Sequence, residues 1–254
     1  MAHLALHHKQ SPENLSVEDI ENYLYFCQKQ HKTPSESFFK HTIFGLRAAY
    51  KVMGMEAKRV ALPQIKQDRK LPTVLSQAEV KRLLNAPKYL KHRLILATLY
   101  GCGLRSYELC NLKLADVDFD RKTVFIPKKK GKVDRYIPLS KHLVRGLKNY
   151  IETENPQVYL FNSQKTKDGQ RHGLTTNGIR WVIKENRSKI GSNKKITAHM
   201  LRHSFATHLL EYGVDIVSLK ELLGHAHIEM TLHYLHVANL PKGAKFSPLD
   251  KLYG

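Results

Sequence analysis

At 254 residues with 42% apolar side chains, the chain is long enough for one large packed domain or two smaller ones. Its 42 Lys and Arg against 22 Asp and Glu leave a formal net charge of +20. Such a charge attracts polyanions at long range, nucleic acid first and an anionic membrane surface second. The three cysteines, Cys27, Cys102 and Cys110, form no CxxC pair and cannot all be paired, which argues against a disulfide-stapled secreted fold. The most apolar run, Leu94 to Leu104, is too short to span a bilayer. The start, MAHLALHHKQ, lacks the charged-then-apolar layout of a signal peptide. The expectation is a cytoplasmic protein.

In chain order, Ser16 to Gln30 carries apolar residues at Val17, Ile20, Tyr23, Leu24 and Cys27, the spacing of a helix. Ser16 followed by Glu18 and Asp19 supplies its start. Ser35 to Met53 reads as a second helix, with Phe38, Phe39, Ile43, Leu46, Tyr50 and Val52 on it and Gly54 past its end. Its other face bears Lys40, His41, Arg47 and Lys51. The stretch from Ala61 to Ser76, with Pro63 and Pro72 and a charge cluster, reads as a linker. The predicted organisation is a small basic helical domain over 1–66, a linker over 67–75, and a second domain over 76–254.

Ser76-Gln77-Ala78-Glu79 forms a capping box opening a helix, and another helix runs from about Leu90 to Tyr100. Asp116 to Phe119, Thr123 to Ile126 and Arg135 to Ile137 are short β-type runs divided by charged turns, which predicts a small antiparallel sheet. Helical periodicity returns at Ser140 and dominates to about Ala238, so the second domain is mostly helical with one small sheet. The fold class is therefore mainly α with a small antiparallel β-sheet (α+β).

Four segments carry candidate chemistry. In GCGLRSYEL a glycine-rich turn delivers Arg105, whose planar guanidinium suits a phosphate. Glu108, three residues on, can orient a neighbouring cation. PKKKGKVDRYIP reads as a hairpin turn loaded with lysines, which by itself is also what a solvated charge run looks like. In TAHMLRHSFATHLLEYG, His199 and Arg202 stand three residues apart on one helical face, an imidazole to move a proton beside a guanidinium to neutralise an oxyanion. In LLGHAHIEMTLHYLHV, Gly224 ends one helix, His225 lies in the turn, and a second helix carries Tyr234. A lone tyrosine there ordinarily packs a core. A phenol attacks phosphorus only where cations stabilise its anion. Together the arginines, lysine, histidines and tyrosine match what metal-free attack on a phosphodiester requires.

The segments GLRSYEL, HMLRHSFATHLLEYGVDIVSLKELLGH and TLHYLHVA resemble the conserved boxes of tyrosine recombinases, most closely the Xer-type enzymes and related phage integrases. The boxes stand in the family's order, Tyr234 follows His225 by nine residues, and the resemblance spans about Leu75 to Ala238. It implies a helical core-binding domain followed by the tyrosine-recombinase catalytic domain. It implies that Arg105 and Arg202 clamp the scissile phosphate, that His199 assists proton transfer and orients the phosphate, and that His225 donates to a non-bridging oxygen. Lys130 matches the hairpin lysine that protonates the leaving 5′-oxygen, although Lys128, Lys129 and Lys132 crowd it. Tyr234 matches the nucleophile that holds the 3′-phosphate, and Glu108 the supporting acid. No metal, cofactor or ATP is implied. The implied partner is double-stranded DNA at paired recombination sites, gripped between the two domains by a homotetramer that exchanges C-terminal tails. Any accessory protein stays unknown.

Charge and fold nominate Lys40, Arg47 and Lys51 as DNA contacts in the first domain. Arg171, Thr175, Thr176 and Arg180 are nominated in the second, where a helix N-terminus would meet phosphate or base edges. Some features depart from the family pattern. Met230 replaces a small hydroxyl residue, the first domain is short at its N-terminus, and Pro241 and Pro248 make the tail more extended. That tail can still dock on a neighbour through Phe246, Leu249 and Leu252. Three rival readings remain: a topoisomerase IB-like or telomere-resolvase activity, a DNA-binding regulator on the same scaffold, and a metalloenzyme using His225, His227, His233 and His236. The last lacks HExxH or CxxC spacing. The biological setting stays open between chromosome resolution, phage integration and a transposable element.

Overall fold

The computed structural model describes residues 2–30, 36–58, 60, 72–127, 134–163 and 173–239. Lys130, Arg171 and the tail residues Phe246, Leu249 and Leu252 lie outside the described residues. The chain divides into two compact units, Met1–Lys70 and Leu71–Gly254. Among the described residues, no helix is long and apolar enough to cross a membrane.

The first unit holds α1 (Ala2–His8), α2 (Val17–Gln30) and α3 (Glu36–Val52). A reciprocal cap starts α2: the Asp19 N–H donates to Ser16 Oγ at 3.0 Å and the Ser16 N–H to the Asp19 carboxylate at 2.9 Å. The apolar stripe of α2, Ile20, Tyr23, Leu24 and Cys27, is buried with Phe39, Ile43, Leu46 and Tyr50 of α3 and Leu4 of α1. The Tyr50 hydroxyl donates to the Pro12 carbonyl at 2.7 Å, so its polar end is satisfied inside this core.

The second unit holds α4 (Gln77–Asn85), α5 (Leu90–Gly101), α6 (Ser106–Cys110), β1 (Val117–Asp118), β2 (Thr123–Ile126), β3 (Arg135–Pro138), α7 (Lys141–Glu154), α8 (Thr176–Arg187), α9 (Ala198–Glu211), α10 (Ile216–Leu223) and α11 (Glu229–Leu232). The strands form one antiparallel sheet in the order β1-β2-β3, with Val124 opposite Ile137 and Ile126 opposite Arg135. The architecture is mainly α with a small antiparallel sheet, as the sequence pattern predicts. The capping box at α4 forms through Ser76 and Glu79.

Helix α9 lies at the centre of this unit and packs against α5, α8 and α10. Leu201, Arg202, Ser204, Phe205, Ala206, Thr207, His208 and Leu210 are all buried, so it has no single apolar stripe. Gly103 makes its close approach to the α5–α6 turn possible. Its φ is +56°, and a Cβ there would stand 2.3 Å from the Phe205 ring.

Asn155, at φ +45°, ends α7, and the described residues between α7 and α8 take part in the isolated bridges Lys113–Tyr159 and Asn162–Gly173. One expectation needs correction: Tyr234 does not sit within a helix. Helix α11 ends at Leu232, and the next residues run as tightened turns, with Tyr234 N–H donating to Thr231 O and Val237 N–H to Tyr234 O. The physical reason is the burial period. Ile228, Thr231, Tyr234 and Val237 face inward at intervals of three, whereas Leu232 and Leu235 are exposed, and a three-residue turn satisfies that spacing.

Candidate active site

The site is assembled around the C-terminal end of α10, where a helix leaves carbonyls without intrahelical partners and a partial negative charge. Three arginines from three other elements converge there. Arg202, from α9, donates to Leu223 O and to Gly103 O, each at 2.6 Å. Arg135, from β3, donates to Leu222 O at 2.8 Å. Arg105, at the start of α6, reaches Leu223 O at 3.5 Å. Gly224 closes α10 at φ +60°, and a Cβ there would stand 2.9 Å from an Arg135 nitrogen. Glycine at this position thus serves both the helix end and the close approach of Arg135.

Glu108 binds the cluster from the side. Its carboxylate accepts from the Arg105 backbone N–H at 2.8 Å and guanidinium at 3.0 Å, and from both terminal nitrogens of Arg135 at 3.2 and 2.8 Å. Arg202 lies 3.8 Å away. Burial pushes this carboxyl up, but the hydrogen bonds and charge of Arg135, the Arg105 N–H and the charge of Arg202 outweigh it and hold the pKa at about 2. Burial and the charge of Arg105 pull Arg202 down to about 10, which leaves it charged at neutral pH.

The Glu108 geometry makes a pH prediction. A carboxyl depressed in the folded state stabilises above its ordinary pKa of 4.5, and that contribution is lost as pH falls toward about 2. The expected loss from this group between pH 6 and pH 3 is about 2 kcal/mol. In urea unfolding, the stability gap between wild type and Glu108→Gln should shrink by that amount over the same interval. A gap independent of pH would mean that Glu108 is not held as described.

His225 lies buried just past α10. Its Nε2 is 3.1 Å from an Arg202 nitrogen, and its Nδ1 is 2.9 Å from Thr231 Oγ1. A guanidinium has only donors, so Nε2 accepts and the Nδ1–H donates to Thr231. Tyr234 is 4% exposed, and its ring lies parallel to His225 at 6.4 Å. Its hydroxyl is 3.0 Å from His203 Nδ1. Burial raises the phenol above its ordinary pKa, and Arg202 and Arg105 pull against that rise. His199 is exposed at the start of α9, with its ring edge-to-face on His203 at 4.6 Å. Burial, then Arg202 and Arg105, lower its pKa.

The structure thus gathers Arg105, Glu108, Arg202, His225 and Tyr234 and places His199 beside them. Among the described residues, no three His, Cys, Asp or Glu are grouped as ligands of a metal ion. His227, His233 and His236 are exposed, and His225 faces Arg202 and Thr231 rather than joining them. The candidate DNA contacts Lys40, Arg47 and Lys51 lie in the first unit on α3, where Arg47 also donates to Val60 O at 2.7 Å. Thr175 caps α8 and Thr176 opens it. Arg180 is exposed on its second turn and donates to Asn177 at 2.9 Å.

Residues 73–240 match the model of the phage integrase family. The chain belongs to the phage integrase family. This integrase is 40% identical over 215 residues to the tyrosine recombinase XerA of Thermococcus kodakarensis, across 82% of this chain and 75% of the relative. It resembles the crystal structure of XerA recombinase with a TM-score of 0.60 and 29% identity, over 99% of this chain and 87% of that one. A pre-cleavage complex of XerH site-specific recombinase with difH substrate matches with a TM-score of 0.69 at 24% identity, over 96% and 70% of the two chains, a likeness of fold. The integrase is a tyrosine-type site-specific recombinase.

Two residues of the integrase site escaped the sequence reading. From the sequence Arg135 reads only as the start of a strand. In the register of β3 it shares the buried phase with Ile137, while Tyr136 and Pro138 face out. A cation in the inward phase of a strand is a legible signal of a buried ion pair. His203 stands inside a quoted box without a role. Its spacing of four residues from His199 puts both imidazoles on one face of α9, but nothing local shows that this face meets Tyr234.

Proposed function

We propose that this recombinase cuts and rejoins double-stranded DNA at paired recombination sites, with Tyr234 as its nucleophile. The observation that carries this reading is the convergence of Arg105, Arg135 and Arg202 on one shared carboxylate, Glu108, beside the buried Tyr234 hydroxyl. Three guanidiniums against one carboxylate leave an excess of fixed positive charge, which suits a phosphodiester whose charge grows in the transition state. That XerH was solved on its difH substrate supports DNA as the ligand of this fold.

In this reading the Tyr234 oxygen bonds to phosphorus as the bond to the 5′-oxygen breaks. Arg105 and Arg202 hold the non-bridging oxygens, with Glu108 fixing Arg105, and His199 orients the phosphate. His225 donates to the phosphate after Arg202 turns from its Nε2, which requires the other tautomer. Lys130 supplies the proton to the leaving 5′-oxygen. The 3′-phosphotyrosine keeps the diester energy, so a 5′-hydroxyl from the partner site restores the bond without ATP, cofactor or metal.

The first unit serves as the core-binding domain, with Lys40, Arg47 and Lys51 toward the backbone. Arg171, Thr175, Thr176 and Arg180 meet DNA at the start of α8. Four protomers assemble on two sites through their C-terminal tails. Arg180→Ala should weaken binding and reduce the slope of log affinity against log salt by about 0.9. An unchanged affinity and slope would remove Arg180 from the interface.

The test offers the protein a pool of random nicked duplexes in chelator. A nick releases the short fragment and traps the covalent complex. Sequencing the captured DNA and mapping the modified peptide by mass spectrometry should place the adduct on Tyr234. DNA that is bound and selected without any adduct would favour a regulator on this scaffold.

A further inference from the structure

His203 sits between His199 and Tyr234. On the reading of Tyr234 as nucleophile, the phenol must lose its proton inside a cationic pocket. His199, to which the family resemblance gives a part in proton transfer, packs its ring on His203, which in turn meets the phenol. This inference rests on that reading. We propose that His203, through Nδ1, accepts the Tyr234 proton during strand cleavage and returns it during religation.

The geometry selects it. His203 Nδ1 is 3.0 Å from the Tyr234 hydroxyl, and the two rings lie 5.5 Å apart at 53°. The charged groups around the hydroxyl, Arg202 and Arg105, are donors only. His225 lies parallel to the tyrosine ring, and its two nitrogens face Arg202 and Thr231. His199 packs its ring against His203. Of two neutral partners the phenol is the stronger acid, so its O–H donates and Nδ1 accepts, with the imidazole proton on Nε2.

The groups facing His203 are His199 and Arg202 from α9 and Tyr234 from beyond α11, and Arg105 and His225 lie on the far side of them, by Arg202 and the tyrosine ring. Burial, then His199 and Arg202, hold His203 down to about 4, so it is unprotonated at neutral pH. So weak a base would not ionise a free phenol. It suffices when transfer accompanies bond formation, because the phenolic oxygen becomes strongly acidic as it bonds to phosphorus. The step balances: the Oη–P bond forms, the P–O5′ bond breaks, the Oη proton passes to Nδ1, and the leaving 5′-oxygen takes a proton from Lys130. Religation runs the same transfers backward, and the new imidazolium lies beside the phosphate anion.

The test has two parts. On the free protein, 15N NMR of histidine-labelled wild type should show His203 Nδ1 unprotonated and hydrogen-bonded at pH 7, with its signal moved by Tyr234→Phe. A protonated Nδ1 overturns the proposal without any DNA. On the duplex recovered by adduct capture, single-turnover cleavage is followed from pH 6 to 9 with oxygen or sulfur at the bridging 5′ position. Wild type should be flat with pH. His203→Asn keeps an amide near the Nδ1 position to hold the hydroxyl. It should cleave about 100-fold more slowly at pH 7 and gain about tenfold per pH unit, because hydroxide must then take the proton. Sulfur needs no proton on leaving, so it should rescue Lys130→Ala but not His203→Asn. Three outcomes overturn the proposal: a wild-type rate in His203→Asn, a loss that is equal at every pH, or a loss that sulfur cures. An adduct that survives Tyr234→Phe overturns instead the nucleophile assignment beneath it.

Discussion

Tyr234→Phe is expected to abolish covalent attachment to DNA, with a loss on the order of 10⁴-fold or more, while affinity for the same duplex changes little. The substitution removes one oxygen from a side chain that is 4% exposed. The ring stays, so its packing with Phe205, Leu219 and Leu223 stays as well. What disappears is the hydroxyl at 3.0 Å from His203 Nδ1. Losing that hydrogen bond should cost about 1 kcal/mol of stability, far less than the loss of chemistry. Denaturing gels of the trapped complex measure the chemistry, and filter binding measures the affinity. An adduct of normal yield in the variant would place the nucleophile elsewhere.

Arg202→Lys is expected to slow cleavage about 10²- to 10³-fold at saturating DNA, with a measurable loss of stability. Arg202 is 1% exposed, yet it carries a full charge. The planar guanidinium satisfies Gly103 O on one nitrogen and Leu223 O on another while also touching His225 Nε2. These partners come from the α5–α6 turn, the end of α10 and the turn beyond it. One guanidinium therefore pins together three segments, the first leading into Arg105 and the last into α11, after which Tyr234 follows. An ammonium is a compact point charge and cannot span that set. The charge is retained, so the salt dependence of binding should barely move, whereas single-turnover cleavage and urea unfolding should both report the change. Cleavage at the wild-type rate would show that the planar fork is not what the phosphate requires.

The sequence was informative where the deciding physics is local. Ser76 and Glu79 announce the start of α4 because a cap is a contact across three residues. The alternation over Thr123–Ile126 and from Arg135 onward gives the β2–β3 ladder, since strand faces alternate every residue. The boxes around Arg105, Arg202, His225 and Tyr234 single out residues that fold into one site. Reading Tyr234 as helical failed for an equally local reason. A short segment with inward residues every third position fits both an α-helix and a run of tight turns, and packing on α9 chooses between them.

By itself, then, the sequence determined the positive charge, the mainly helical class, the caps, the sheet and most side chains of the site, because each follows from neighbours or from a spacing. Tertiary structure alone decided which groups meet. Arg135 joins Glu108 across 27 residues, His203 meets Tyr234 across 31, and Arg105 reaches Leu223 across 118. None of these pairs shares a helical turn or a strand register. They are created by the burial of α9 and by the free carbonyls at the end of α10, around which the cations collect because buried donors and charges must find partners.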